Sequence, residues 1–274
     1  MKKLLVYWMV FLFSFTGSAF AAQNDSVNSS NIPSKLIAGD YFFDTGKAVN
    51  TMNSTYYAMS TGAHYVVTSR EGYNGASGNI TLPSVKMAVP GDTAFEIFGV
   101  YSHTAGMDLG IWCKDNQNWY IGATVSDLNG NITWYRSYRP ISKAQHPIVH
   151  MIVKVQDDAV LLEIYDGKNY KILDSRIIKA PNCGFNAAGT GIKLTREHAL
   201  AFISRKGDLS DGSYMLDSKW SNVHIYSTCG FSLWTSDFSA SRLKGDTSDE
   251  QQTIHLSDLI PDYQDTCSIQ YNLP

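Results

Sequence analysis

Between residues 107 and 165 apolar and polar side chains alternate with a period of two, broken by short turn-forming clusters. This pattern commits the segment to β-structure. In residues 148–156, Val149, Met151, Val153 and Val155 make one apolar face while His150, Lys154 and Gln156 lie opposite. After Asp157-Asp158 the alternation resumes with Val160, Leu162 and Ile164 inward and Leu161, Glu163 and Tyr165 outward, so the two segments are predicted to form a hairpin. Upstream, Met107, Leu109, Ile111 and Cys113 repeat the pattern, and Trp119, Ile121, Ala123 and Val125 alternate with Asn118, Tyr120 and Thr124. Side chains on a strand point alternately to two sides, so strands of this kind need a second layer over their apolar face.

Turn signals recur at strand-length intervals, among them Tyr73-Asn74-Gly75, Pro90-Gly91-Asp92, Lys114-Asp115-Asn116, Leu128-Asn129-Gly130 and Asp166-Gly167-Lys168. They delimit further strands near 41–44, 65–69, 95–103, 132–138, 170–178, 200–204, 220–226 and 231–235. Helix is expected only as a turn or two over 194–198, which Thr195-Arg196-Glu197 could open. The acidic string Asp208-Leu209-Ser210-Asp211-Gly212 lacks the terminal Glu of a calcium loop and reads as a hairpin loop. The expected fold class is all-β, an antiparallel two-sheet jelly-roll sandwich.

Lys2 and Lys3, the apolar residues 4–15 and Ala19-Phe20-Ala21 have the order of a secretory signal peptide. Gly17-Ser18 interrupts the apolar run before it reaches the about 20 residues needed to span a bilayer. The expected organisation is a signal peptide over 1–21, a flexible Asn- and Ser-rich linker over 22–35 and one sandwich domain over 36–274. The short basic start and Ala-rich site are of bacterial type, and the mature chain is expected to be secreted or periplasmic with no membrane span.

Removing Lys2 and Lys3 from 22 basic residues leaves 20 against 25 acidic ones, a mature net charge of −5. That disfavours a nucleic-acid partner, whose phosphates need clustered Lys and Arg. The four cysteines would enter an oxidising compartment, where disulfides are the default and three pairings exist. Cys229 and Cys267 are expected to bridge and pin the C-terminal tail, while Cys113 either pairs with Cys183 or stays a buried thiol. There is no Cys-x-x-Cys spacing and no His at zinc-site distance, so no metal and no cofactor are expected.

This order of elements resembles the concanavalin A-like lectin and glucanase superfamily. The resemblance is carried by residues 94–101 (AFEIFGVY), 107–113 (MDLGIWC), 119–124 (WYIGAT), the hairpin 149–166 and residues 218–226 (SKWSNVHIY). It implies a jelly roll with a glycan site on one sheet face. The alternation puts Asp108, Trp112, Tyr120, His150, Glu163 and Tyr165 outward. Trp112, Tyr120 and Tyr165 would stack on sugar rings, and Asp108, His150 and Glu163 would read hydroxyls. On that reading the chain is a non-enzymatic binder of a polysaccharide or cell-surface glycan.

Two other readings stay open. Loops could cover the outward aromatics and make them a second core layer in a structural envelope protein. Alternatively, the chain could be a polysaccharide hydrolase or lyase, with Glu163 and Asp108 the first carboxylates to consider. The glucanase string Glu-x-Asp-x-x-Glu is missing, and Ser69-Arg70-Glu71-Gly72 and Thr253-Ile254-His255 only partly echo lyase strands. There is no Gly-x-Ser-x-Gly elbow, and none of the seven histidines is singled out as a base.

Overall fold

The computed structural model describes residues 43–44, 61–113, 115–127, 132–202, 212–245, 248–260 and 263–271. The predicted signal peptide, the linker and the acidic loop through Asp211 lie outside the described residues. Strands are numbered in chain order. Sheet A runs β1 (Phe43–Asp44), β8 (Ile132–Arg136), β7 (Asn118–Asp127), β6 (Ala105–Cys113), β5 (Thr93–Tyr101), β13 (Lys193–Phe202), β2 (Thr61–Ser69) and β16 (Ser239–Lys244), with β9 (Ile141–Ser142) beside β7. Sheet B runs β12 (Ile172–Lys179), β11 (Ala159–Asp166), β10 (Ile148–Gln156), β3 (Gly75–Thr81), β14 (Tyr214–Ser227), β18 (Gln264–Gln270) and β17 (Ile254–Ile260), with β4 (Ser84–Lys86) and β15 (Gly230–Leu233) also on β14. Among the described residues all pairings are antiparallel, and the one α-helix is α1 (Ser248–Thr253). No helix there is long and apolar enough to cross a membrane.

The molecule is thus an all-β, two-sheet antiparallel sandwich, as the period-two pattern requires. Its core takes Met107, Leu109 and Ile111 from β6, Phe98 from β5 and Leu194 and Leu200 from β13. Val149, Met151, Val153, Leu162, Ile164 and Trp220 come from sheet B, and the Phe98 and Trp220 rings meet with centroids 4.6 Å apart. Each fully buried side chain of this size contributes about 1.5–3 kcal/mol. The β10–β11 hairpin has the expected register, with Gln156 opposite Ala159 around the Asp157-Asp158 turn. Asp158 takes φ 55°, a left-handed conformation that Asp tolerates better than most residues.

The expected helix over 194–198 is instead the middle of β13. Its backbone pairs with β5 on one side and β2 on the other through Thr195 to Ala201. A helix there would leave two strand edges unsatisfied inside the sheet. Leu194, Arg196, His198 and Leu200 face the other sheet, and charges among them disguise the alternation.

Those charges form a buried ionic layer between the sheets. Arg196 Nη1 lies 2.6 Å from Asp265 Oδ2, His198 Nε2 is 2.8 Å from Asp265 Oδ1, and His198 Nδ1 is 2.9 Å from Glu96 Oε2. Ser218 donates to Glu96 Oε1 at 2.5 Å. All five side chains are 0–1 % exposed, which permits ions only when they are paired. Burial alone would lower the His198 pKa, but Glu96 and Asp265 overcome it and raise the value to about 9. For Asp265 burial pushes upward, and Arg196 and His198 prevail to bring it down to about 2.

The expected Cys229–Cys267 disulfide is absent, and no disulfide joins the described cysteines. Cys267 is buried opposite Ser218, whereas Cys229 is exposed in the turn after Ser227 at the far end of β14. Nine residues of strand separate Ser218 from Ser227, about 30 Å, far beyond the about 7 Å that a disulfide allows between Cα atoms. Cys113 is a buried thiol at the end of β6, while Cys183 sits beside Ser102 at the opposite end of that strand, its carbonyl 2.5 Å from the Ser102 hydroxyl.

Candidate active site on the outer face of sheet A

Away from the core, sheet A carries transverse rows of side chains set by its register. One row is Thr195, Gly99, Asp108 and Thr124, across β13, β5, β6 and β7. The next is Glu197, Ile97, Gly110 and Gly122, and the third is Ala199, Phe95, Trp112 and Tyr120. The row holding Asp108 and the aromatic row therefore flank a row that begins at Glu197 and ends in two adjacent glycines.

Asp108 and Tyr101 are the centre of the acidic side. Tyr101 and Asp108 stand on the two arms of the β5–β6 hairpin, whose turn is held by the Ser102 hydroxyl accepting from the backbone N–H groups of Thr104 (3.1 Å) and Ala105 (3.0 Å). The Tyr101 hydroxyl donates to Asp108 Oδ1 at 2.5 Å. Its ring lies across two glycines: a Cβ on Gly99 would stand 2.4 Å from Tyr101 Cε2, and one on Gly106 2.8 Å from Cδ1. The same Gly99 Cβ would stand 2.2 Å from Thr195 Oγ1, so only glycine lets the Tyr101 and Thr195 hydroxyls converge there. Asp108 keeps 8 % exposure, while Tyr101 and Glu197 are half-buried. Burial pushes the Asp108 carboxyl up to about 7, against the pull of the Tyr101 and Thr124 hydroxyls. Burial, then the charges of Asp108 and Glu197, push the Tyr101 phenol well above its ordinary value, which keeps it a donor. One hydroxyl thus feels both acids, which lie two strands apart and two residues offset, about 11–12 Å between Cα atoms.

The aromatic side is closed. Phe95 and Trp112 are 3 % and 6 % exposed and form a small second hydrophobic cluster with Ala199 and Ala201, against which Ile97 and Tyr120 pack. Trp112 and Tyr120 have centroids 5.2 Å apart, and the indole lies over Gly122, where a Cβ would stand 2.7 Å from Trp112 Cδ1. The Tyr120 hydroxyl donates to Asp115 Oδ2 at 3.3 Å.

Three of the six expected site residues, Asp108, Trp112 and Tyr120, share this face. The other three, His150, Glu163 and Tyr165, share the outer face of sheet B. There His150 faces Tyr165 across β10 and β11 and bonds Asn79 (2.8 Å), with Glu163 one row further along. The sandwich core separates the two groups, so no single surface holds all six. Tyr101, Thr195 and Glu197 were missed. The last two were hidden by the helical reading of 194–198, and only their alternation with Arg196 and His198 marked them. Among the described residues no three of His, Cys, Asp and Glu are placed to hold a metal ion.

No protein-family model matches this sequence, and no curated protein matches it. Its sandwich is similar to that of solved peptidases of the eqolisin class. The eqolisin-family peptidase SCP-B, in complex with the tripeptide Ala-Ile-His, superposes with TM-score 0.50 at 11 % identity, over 77 % of this chain and 98 % of that one. Scytalido-glutamic peptidase with a peptide-based transition-state analogue gives TM-score 0.51 at 10 % identity with the same coverage. The likeness is one of fold. Together with the split of the six residues and the closure of Trp112, it corrects the expectation of a non-enzymatic glycan-binding protein.

Proposed function

We propose that the chain is an acid hydrolase of peptide bonds, with Asp108 as general acid and Glu197 as general base. The observation that carries this reading is the convergence of Tyr101, Asp108 and Thr195 above Gly99, with Glu197 in the adjoining row. A carboxyl held near pKa 7 keeps its proton in weak acid, the requirement for a general acid there. Tyr101 occupies Oδ1 as a donor, leaving Oδ2 to carry that proton. Glu197 would take a proton from water, whose oxygen bonds to the carbonyl carbon. Asp108 would protonate the carbonyl oxygen; as the C–N bond breaks, Glu197 would pass the proton it took from water to the leaving amine, and a hydroxyl of the tetrahedral diol would return its proton to Asp108 as the C=O bond re-forms. The peptidases that share the sandwich support a peptide rather than a glycosidic substrate, and the signal-peptide pattern expected at residues 1–21 supports action outside the cytoplasm.

The test is hydrolysis of unstructured protein and synthetic peptides between pH 3 and 8. Cleavage should fall as pH rises through about 7. It should drop at least about 100-fold in Asp108→Asn and in Glu197→Gln, the usual scale for losing a general acid or base. Full activity in both variants would remove these residues from the chemistry.

A further inference from the structure

We infer that Tyr101 is a positioning residue of the Asp108 site: lying over Gly99 between Thr195 and Asp108, its hydroxyl decides which carboxyl oxygen carries the proton and sets the pH range in which that proton is kept. This rests on the peptide-hydrolase reading and adds to it the residue that sets the working pH.

Tyr101 stands opposite Gly106 and two residues along β5 from Gly99, on the same side of the sheet. A side chain at either place would run into its ring. With glycines there the ring lies down, and its hydroxyl comes 3.0 Å from where a Gly99 Cβ would be, in the row that Thr195, Gly99 and Asp108 form. The place of a side chain at 99 is taken by a hydroxyl from residue 101.

On one side of that hydroxyl, Asp108 Oδ1 accepts at 2.5 Å. On the other, the Thr195 hydroxyl, 7 % exposed and with no partner elsewhere among the described residues, bears on the phenol oxygen and acts against the rise of its pKa. A phenol has one proton to give. With Thr195 on its acceptor side, Tyr101 gives that proton to Oδ1, so the proton of the neutral Asp108 belongs on Oδ2. A donor held there favours the carboxylate over the neutral acid and draws Asp108 down against burial, which alone would carry it higher. Hydrogen bonds in series strengthen one another, so Thr195 acts on Asp108 through Tyr101. The other titratable groups around this place are Glu197 and Lys193 on β13, the latter paired with Glu71, while β7 offers the hydroxyls of Thr124 and Ser126.

The experiment is a carbon-13 titration of the Asp108 carboxyl, assigned by its loss in Asp108→Asn, in the parent, Tyr101→Phe and Thr195→Val, beside the pH profile of kcat/KM for a cleaved peptide. Tyr101→Phe keeps the ring and removes the donor. Its Asp108 midpoint should rise from about 7 by about one to two pH units, the scale of a hydrogen bond to a charged group, and the alkaline limb of kcat/KM should move up with it. Thr195→Val should move both in the same direction by less. An unmoved midpoint in a folded Tyr101→Phe overturns the inference, as does a midpoint that moves while the limb of kcat/KM stays. If Tyr101→Phe does not fold, Thr195→Val decides, and an unmoved midpoint there overturns the inference. A midpoint that moves in a protein that cleaves no peptide overturns the hydrolase reading and leaves the control of the Asp108 proton by Tyr101 standing.

Discussion

Glu197 and His198 are neighbours in the chain and face opposite sides of sheet A, Glu197 toward the glycine row and His198 into the ionic layer 2.8 Å from Asp265. The same strand that offers a carboxylate to the outer face is thereby tied to sheet B. Rigid elements hold functional groups more closely than loops do.

The ionic layer gives stability a two-sided pH dependence. The folded His198 pKa of about 9 lies above its unfolded value of about 6.5, so its contribution is complete below pH 6.5 and is lost as pH rises through 9. Asp265 is depressed to about 2, so its contribution is complete above pH 3.8 and is lost as pH falls through 2. In the Asp108→Asn variant, which lacks the separate slope that the Asp108 carboxyl adds between pH 3.8 and 7, urea unfolding between pH 2 and 10 should show a plateau between about 4 and 6.5, each arm falling by on the order of 2–3 kcal/mol. A flat profile above pH 7 would contradict the His198 assignment.

Breaking the layer should cost more than a surface ion pair. Asp265→Asn leaves Arg196 and His198 facing a neutral partner in the core, and about 3–5 kcal/mol of destabilisation is expected. Lys193→Ala, which removes the partially exposed pair with Glu71, should cost under about 1 kcal/mol. Urea midpoints of the two variants distinguish the cases.

Asp108 should act in the opposite sense. Its folded pKa of about 7 exceeds the unfolded 3.8, so the folded state loses stability as pH rises from 3.8 to 7. Asp108→Asn removes that loss. It should be more stable than the parent at pH 8 by on the order of 2–4 kcal/mol and converge with it near pH 4. Equal midpoints at pH 8 would mean that the carboxyl ionises freely.

Gly110→Ala tests the close approach of β5 and β6. The new methyl would stand 2.0 Å from the Glu96 carbonyl oxygen, with backbone rather than a flexible side chain in its way. At least about 2 kcal/mol of destabilisation is expected. Gly72→Ala meets nothing within 4 Å and serves as a control for packing, although its φ of 105° adds backbone strain.

The thiols should separate by burial. Cys229 is exposed and should alkylate in the native protein, whereas Cys113 and Cys267 are buried and should react only on unfolding. Burial pushes Cys113 up to about 11 and Cys267 well above its ordinary value, which slows thiolate chemistry further. Peptide mapping after a short iodoacetamide pulse reads this directly.

Much of the architecture was legible in the residues. The alternation of Val149, Met151, Val153 and Val155 specified a half-buried strand because the pleat has period two, and the hairpin to Leu162 and Ile164 followed from the turn between them. The same rule put Asp108, Trp112 and Tyr120 on one side. It failed on β13, where Arg196 and His198 occupy inward positions usually held by apolar residues. Their counter-charges arrive from Asp265 and Glu96, residues 67 and 102 positions away in the chain.

Local pattern alone determined that this chain makes strands and, β13 excepted, which side of the strongly alternating ones is apolar, because those depend on neighbours one or two residues apart. Tertiary structure decided which strands lie side by side, and hence that His150, Glu163 and Tyr165 are parted from Asp108 by the whole core. It also decided that Tyr101 and Glu197 join Asp108, that Trp112 is covered and that Cys229 is out of reach of Cys267. Each of these depends on pairing between distant segments, which is settled by burial of the whole apolar surface at once.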